Sequence, residues 1–148
     1  MFIASDHAGF QLKQAFVNEF CGELEWQDLG PKTSDSVDYP QYAEQLCREI
    51  LSSNLDRYIP CGLLICGSGV GVSMAANRFS GIRAVLAGDT EVAKLSRLHN
   101  ASNVLCLGER LLEKSKAFEI FKVWKETEFE GGRHKRRVDL MDSFSSKS

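Results

Sequence analysis

The sequence has no uninterrupted apolar run near the roughly 20 residues that a membrane helix needs. Its opening, "MFIASDHAGF", turns polar by Asp6, too soon for the apolar region of a secretory signal. It carries no strong charge of either sign. A net charge of -2 argues against a general nucleic-acid binder. It lacks a disulfide framework: Cys21, Cys47, Cys61, Cys66 and Cys106 are odd in number and irregular in spacing. Free thiols in a reducing cytosol are the expectation, and with it a cytoplasmic protein. Cys61 and Cys66 find no second Cys/His pair at zinc spacing, and His7, His99 and His134 are scattered, so no metal is expected. Repeats and linkers are missing too. At 148 residues the chain suits one domain, large enough to bury a core without staples.

What is present is alternation. "MFIAS" reads as a short strand, and "FQLKQAFVNEF" puts Phe10, Leu12, Phe16, Val17 and Phe20 largely on one helical stripe. "LEWQDLG" alternates apolar and polar as a strand does, and Gly30-Pro31 ends it. A helix is expected in "QYAEQLCREILSS", a buried strand in "GLLIC", a short helix in "VGVSMAANRF" and a strand in "IRAVLAG". "DTEVAKLSRLHN" is a helix with Asp89 as N-cap. "NVLCLG" is a fifth strand, "LLEKSKAFEIFKVWKETEF" a long amphipathic helix and "RHKRRVDLMDSF" a last short one. Such alternation predicts an α/β domain with a parallel sheet covered on both faces, "GLLIC", "RAVLAG" and "NVLCLG" being apolar enough for two-sided burial. Ligands in such folds bind beyond the carboxyl ends of the strands. There stand Asp6-His7, Cys66 with its glycines, and Gly108-Glu109-Arg110.

Each of these admits two readings. "ICGSGVGVS" is no P-loop, having no lysine, and Gly67, Gly69 and Gly71 give G-x-G-x-G with Val72 where a dinucleotide fingerprint wants its third glycine. A cysteine phosphatase would want arginine at that same position. Either the backbone N–H groups form an anion nest that suits a phosphate or a developing oxyanion, or this is a tight turn with a buried cysteine. A thiol beside a helix N-terminus is expected to have a lowered pKa, which makes Cys66 a candidate base or nucleophile. Asp6-His7 is a ligand pair, or an N-cap followed by a surface histidine. His99-Asn100 ends a helix, where a charged imidazole or a plain C-cap would sit. In "RHKRR", Arg133 and Arg137 share a helical face and suit a phosphate dianion, unless the run is simply a solvated face or an address signal.

Taken in order, "SDHAGF", "VDYP", "ICGSGVGVSMAANRFSGIRA", "RLHNASNVLCLGER" and "FEGGRHKRRV" resemble the type B ribose 5-phosphate isomerases, within a group that includes allose 6-phosphate and galactose 6-phosphate isomerases. The resemblance spans residue 1 to about residue 143. It implies one isomerase domain over 1–143, with 144–148 as a frayed tail. It also implies a three-layer α/β/α Rossmann-like sandwich on a five-stranded parallel sheet, and a homodimer, if not a tetramer, with sites shared between subunits. The reaction implied is aldose–ketose isomerisation of a phosphorylated sugar with no metal or organic cofactor, a step of carbohydrate metabolism in the pentose phosphate pathway. By that resemblance Cys66 is the general base. Ser68 and the backbone of Gly67, Gly69, Val70 and Gly71 hold the enediolate oxygen. His99 assists ring opening, with Asp6 near the ring oxygen. His7, Arg133 and Arg137 hold the phosphate, and Asp38 and Tyr39 line the entrance. Asn100 and Arg110 reach in from the partner chain. Ser68 stands where some members have threonine, and the absence of an acid from "VGVSMAANRF" favours the cysteine as base. His99 and Cys66 on one chain favour a self-sufficient enzyme over one built from two different subunits. A hexose 6-phosphate substrate, or a phosphosugar-binding module without turnover, are the alternatives.

Overall fold

The computed structural model describes residues 1–144, and the statements below concern those residues; the rest of the expected tail, 145–148, lies outside them. Successive residues of the central strands point to opposite faces, and both faces are apolar. From strand β1 (Phe2–Ser5), Phe2 and Ala4 enter one core with Leu64, Cys66, Val104 and Cys106, while Ile3 enters another with Leu63, Ile65, Leu105 and Leu107. The partners belong to β3 (Gly62–Cys66) and β5 (Val104–Gly108). With β2 (Gln27–Asp28) and β4 (Ala84–Leu86) they form one sheet, all parallel, in the order β2-β1-β3-β5-β4.

Helices cover both faces. Helices α2 (Tyr39–Ser52) and α3 (Val70–Ala76) close the first core, through Leu46, Ile50 and Val72. Helices α1 (Phe10–Glu19), α4 (Thr90–Asn100) and α5 (Lys114–Glu126) close the second. There Phe16 packs edge-on against Phe121 at 5.3 Å, and the buried Trp124 donates its indole N–H to Ser102 Oγ at 2.8 Å. Full burial of each such side chain contributes about 1.5–3 kcal/mol. Helix α6 (Arg133–Asp142) lies against α4. The three-layer parallel architecture is thus the expected one.

Three elements differ from their sequence patterns. The strand expected over "LEWQDLG" shrinks to two exposed residues, because it is an edge with only β1 to pair with, while Leu24 and Trp26 turn into the core beneath. Strand β4 is not buried on both sides: it is the other edge, and Leu86 is exposed. Helix α3 stops at Ala76 because the Asn77 side chain pairs with the backbone of Ala84, both bonds at 2.9 Å, and ties the chain to β4. The Asp89 cap holds, its carboxylate accepting from the Val92 N–H at 2.8 Å.

Because the strands are parallel, every helix between them runs back from the carboxyl edge of the sheet to the amino edge. Strand order reverses between β1 and β3, so the crevice of this fold opens where those two strands end.

Candidate active site

Asp6 follows β1 and Cys66 ends β3, so both stand at that crevice. Asp6 is buried, and its carboxylate accepts from the Gly9 N–H at 2.9 Å, capping the short turn His7–Gly9. It is therefore an N-cap as well as a residue facing the crevice. His7 is half-buried, and its Nδ1 lies 3.2 Å from both the N–H and the carbonyl of Val37, so the backbone of that residue holds the ring in place.

The glycine loop is built around the thiol. Cys66 Sγ accepts from the Gly69 N–H at 3.1 Å, which aims the sulfur along the loop. Gly69 has φ +77°, and a Cβ there would lie 2.5 Å from Leu86 Cδ1 and 2.9 Å from the Leu107 carbonyl carbon. Only glycine tolerates both conditions. Ser68 Oγ accepts from the Val70 N–H at 3.3 Å. Two bulky groups flank the loop. The Arg110 guanidinium lies over Gly67, its Nη1 3.1 Å from where a Cβ would be, and the Tyr39 ring lies over Gly71 at 2.7 Å by the same measure. Tyr39 opens α2, next to Asp38 at its N-cap position. Asp6, His7, Asp38, Tyr39, Cys66, Gly67, Ser68, Gly69, Val70, Gly71 and Arg110 thus gather on one chain at the carboxyl edge. Arg110 belongs to this group on its own chain, whereas the sequence reading brought it in from a partner.

The remaining predicted residues do not gather there. His99 and Asn100 end α4, at the amino edge. The end of α4 is anchored at that edge by Arg97, a buried guanidinium that donates to the carbonyls of Thr127, Ser102 and Tyr58 at 3.1, 2.7 and 2.8 Å. Burial pulls its pKa down to about 10. Arg133 and Arg137 open α6, against the end of α4. The sheet separates these four residues from Cys66 by about 13–16 Å, the length of four to five strand residues. A site holding both His99 and Cys66 of one chain is therefore not what this fold builds. Sequence position alone hides this, because it does not say which end of a helix lies at which edge.

Two residues at the amino edge escaped the sequence reading. His134 stacks on His99, ring centroids 4.3 Å apart and planes 14° apart. Glu130 reaches both: its Oε2 lies 3.9 Å from His99 Nε2 and 3.5 Å from His134 Nε2. The only signal for them was the flanking of "GGR" by Glu130 and His134, which the reading passed over in favour of the arginines.

A family model described as Ribose/Galactose Isomerase matches residues 1–141. The chain belongs to the ribose/galactose isomerase family. It is an isomerase. It is 40% identical to ribose-5-phosphate isomerase B of Escherichia coli over 96% of this chain and 93% of that one. A crystal structure of a ribose 5-phosphate isomerase from Thermotoga maritima superposes with a TM-score of 0.89 at 44% identity, covering 96% of each chain. Ribose-5-phosphate isomerase B from Mycoplasma genitalium, solved with bound ribulose-5-phosphate, superposes with a TM-score of 0.90 at 37% identity, covering 99% of this chain and 96% of that one. None of the described helices is long and apolar enough to cross a membrane.

Proposed function

We propose that this chain interconverts ribose 5-phosphate and ribulose 5-phosphate by moving one proton between C1 and C2 through an enediolate. Family membership supplies the reaction class. The observation that carries the reading is the Cys66 sulfur, set by the Gly69 N–H at the switch point of the sheet with Asp6 across the crevice. Cys66 is the general base. Charge developing on the enediolate oxygen is met by the N–H groups of the Gly67–Gly71 loop and by Ser68. Asp6 faces the ring oxygen, and Asp38 and Tyr39 line the way in. His7 and Arg110 are the cationic or donor groups at this edge. The reaction needs no metal and no organic cofactor.

The working unit in this reading is a homodimer. Val92, Leu95 and His99 share one face of α4, and Val92 and Leu95 are exposed there; Leu86, Val70 and Met74 extend the exposed apolar surface towards the glycine loop. Pairing this face with a second copy about a two-fold axis perpendicular to α4 sets the two α4 helices antiparallel. An 11-residue helix is about 16 Å long, so the pairing carries the partner subunit's His99 and Asn100 from the amino edge to this chain's carboxyl edge. The partner's His99 then assists ring opening, and the partner's Arg133 and Arg137 join His7 on the phosphate. Remote binding energy of that kind holds the sugar in register for the proton transfer. A reducing cytoplasm suits five free thiols, four of them buried.

The test is isomerisation of ribose 5-phosphate by the purified protein after chelator treatment, with allose 6-phosphate and free ribose in parallel. Turnover of the pentose phosphate well above the other two is the expected result. Preference for the hexose phosphate would reassign the substrate, and loss of turnover after chelation would remove the thiol mechanism.

A further inference from the structure

His134 is buried, 6% exposed, yet its Nε2 makes no hydrogen bond among the described residues. A buried polar nitrogen that makes no hydrogen bond is uncommon and costly. It points at Glu130, which in turn reaches the stacked ring of His99, and the three donor atoms all lie within 4.8 Å of one another. In tetrahedral zinc coordination, bonds of about 2.0–2.2 Å put ligand atoms about 3.4 Å apart. The Glu130–His134 pair is already at 3.5 Å, and the Glu130–His99 pair at 3.9 Å. Glu130 is exposed and His99 half-buried, so an ion can enter from solvent, and the His99 ring has to turn towards the other two donors, which lie within 4.8 Å of it, to reach coordination distance. His134 is anchored as the fixed ligand.

We infer that His99, Glu130 and His134 form a binding site for a divalent transition-metal ion of the zinc type. Two imidazoles and a carboxylate suit such an ion, and three protein ligands leave a fourth position open. Arg133 and Arg137 oppose a cation, and Glu130 is the charge that offsets them. Resting on the dimer reading, a further consequence is inhibition: a metal that captures His99 takes it from the sugar.

The experiment titrates Zn²⁺ into the metal-free protein by calorimetry, in a Cys21→Ser background that removes the exposed thiol. One ion per chain is expected, and Co²⁺ in its place should show a visible spectrum of nitrogen and oxygen ligation without thiolate. Glu130→Gln, an exposed substitution, and His134→Gln, checked for folding by circular dichroism, should each weaken binding by at least the roughly tenfold that losing even an outer-shell partner costs. No binding, or binding unchanged in both variants, overturns the site. Isomerase turnover is followed separately, each protein against its own metal-free rate: Zn²⁺ should inhibit the parent and spare Glu130→Gln. Binding without inhibition would keep the metal site and remove His99 from the sugar.

Discussion

At the scale of single residues, the five cysteines divide by environment. Burial pushes the Cys47 thiol up to about 12, the Cys61 thiol up to about 11 and the Cys106 thiol well above its ordinary value, so all three stay protonated near neutral pH and serve as small apolar core groups. Cys21 is exposed beyond α1, with no functional group of the crevice near it in sequence. Only Cys66 lies at the carboxyl edge with a backbone N–H on its sulfur. Replacing it by alanine should lower kcat by about 10²–10⁴-fold, the contribution of a positioned proton-transfer group. Sugar-phosphate affinity, measured by calorimetry, should stay within a few-fold of the parent. A variant turning over at the parent's rate would place the base elsewhere. The position of Cys66, Asp6 and His7 at the carboxyl edge was legible in the sequence because they end or follow apolar strands, and a parallel sheet puts such positions at its crevice. Glu130 and His134 were not, because their meeting with His99 is made by the packing of α6 on α4.

At the scale of elements, α6 is held in part by a polar cluster that can be tested by pH. Asp139 accepts from Tyr58 Oη at 2.7 Å and from Lys135 Nζ at 2.8 Å, and these bonds hold its carboxyl below the ordinary 3.8. Its folded pKa being depressed, the stabilisation is fully present above that ordinary value and is lost as pH falls through it towards the folded pKa. Asp139→Asn should therefore be less stable than the parent to urea at pH 7, and the gap should narrow as pH drops below about 4. A gap that stays constant with pH would mean the carboxylate charge plays no part. Helices were the easier elements to foresee, since α1, α2, α4 and α5 carry their apolar residues at helical spacing. The edge strands were harder. "LEWQDLG" and "IRAVLAG" have strand patterns, but how much of each pairs is decided by whether one neighbour or two is present, and sequence order does not reveal that.

At the scale of the whole molecule, two groups of candidate residues stand at opposite edges of one chain's sheet. The carboxyl edge holds the thiol, the glycine loop, Asp6 and His7. The amino edge holds His99, Asn100, Arg133 and Arg137. The fold class and the parallel sheet were readable from the alternation of patterns. Which residues share a chain's own site was not, since that depends on the direction of α4 and the edge at which α6 docks. The account's central claim is that two copies complete each site. Mixing Cys66→Ala chains with His99→Asn chains, each inactive alone, and letting subunits exchange tests it most directly. Random exchange of a two-fold dimer leaves half the dimers mixed, each with one intact site, so turnover should return to about a quarter of the parent's. No recovery, with exchange verified by a tagged chain, would contradict the shared site and return His99 and Cys66 to the same subunit.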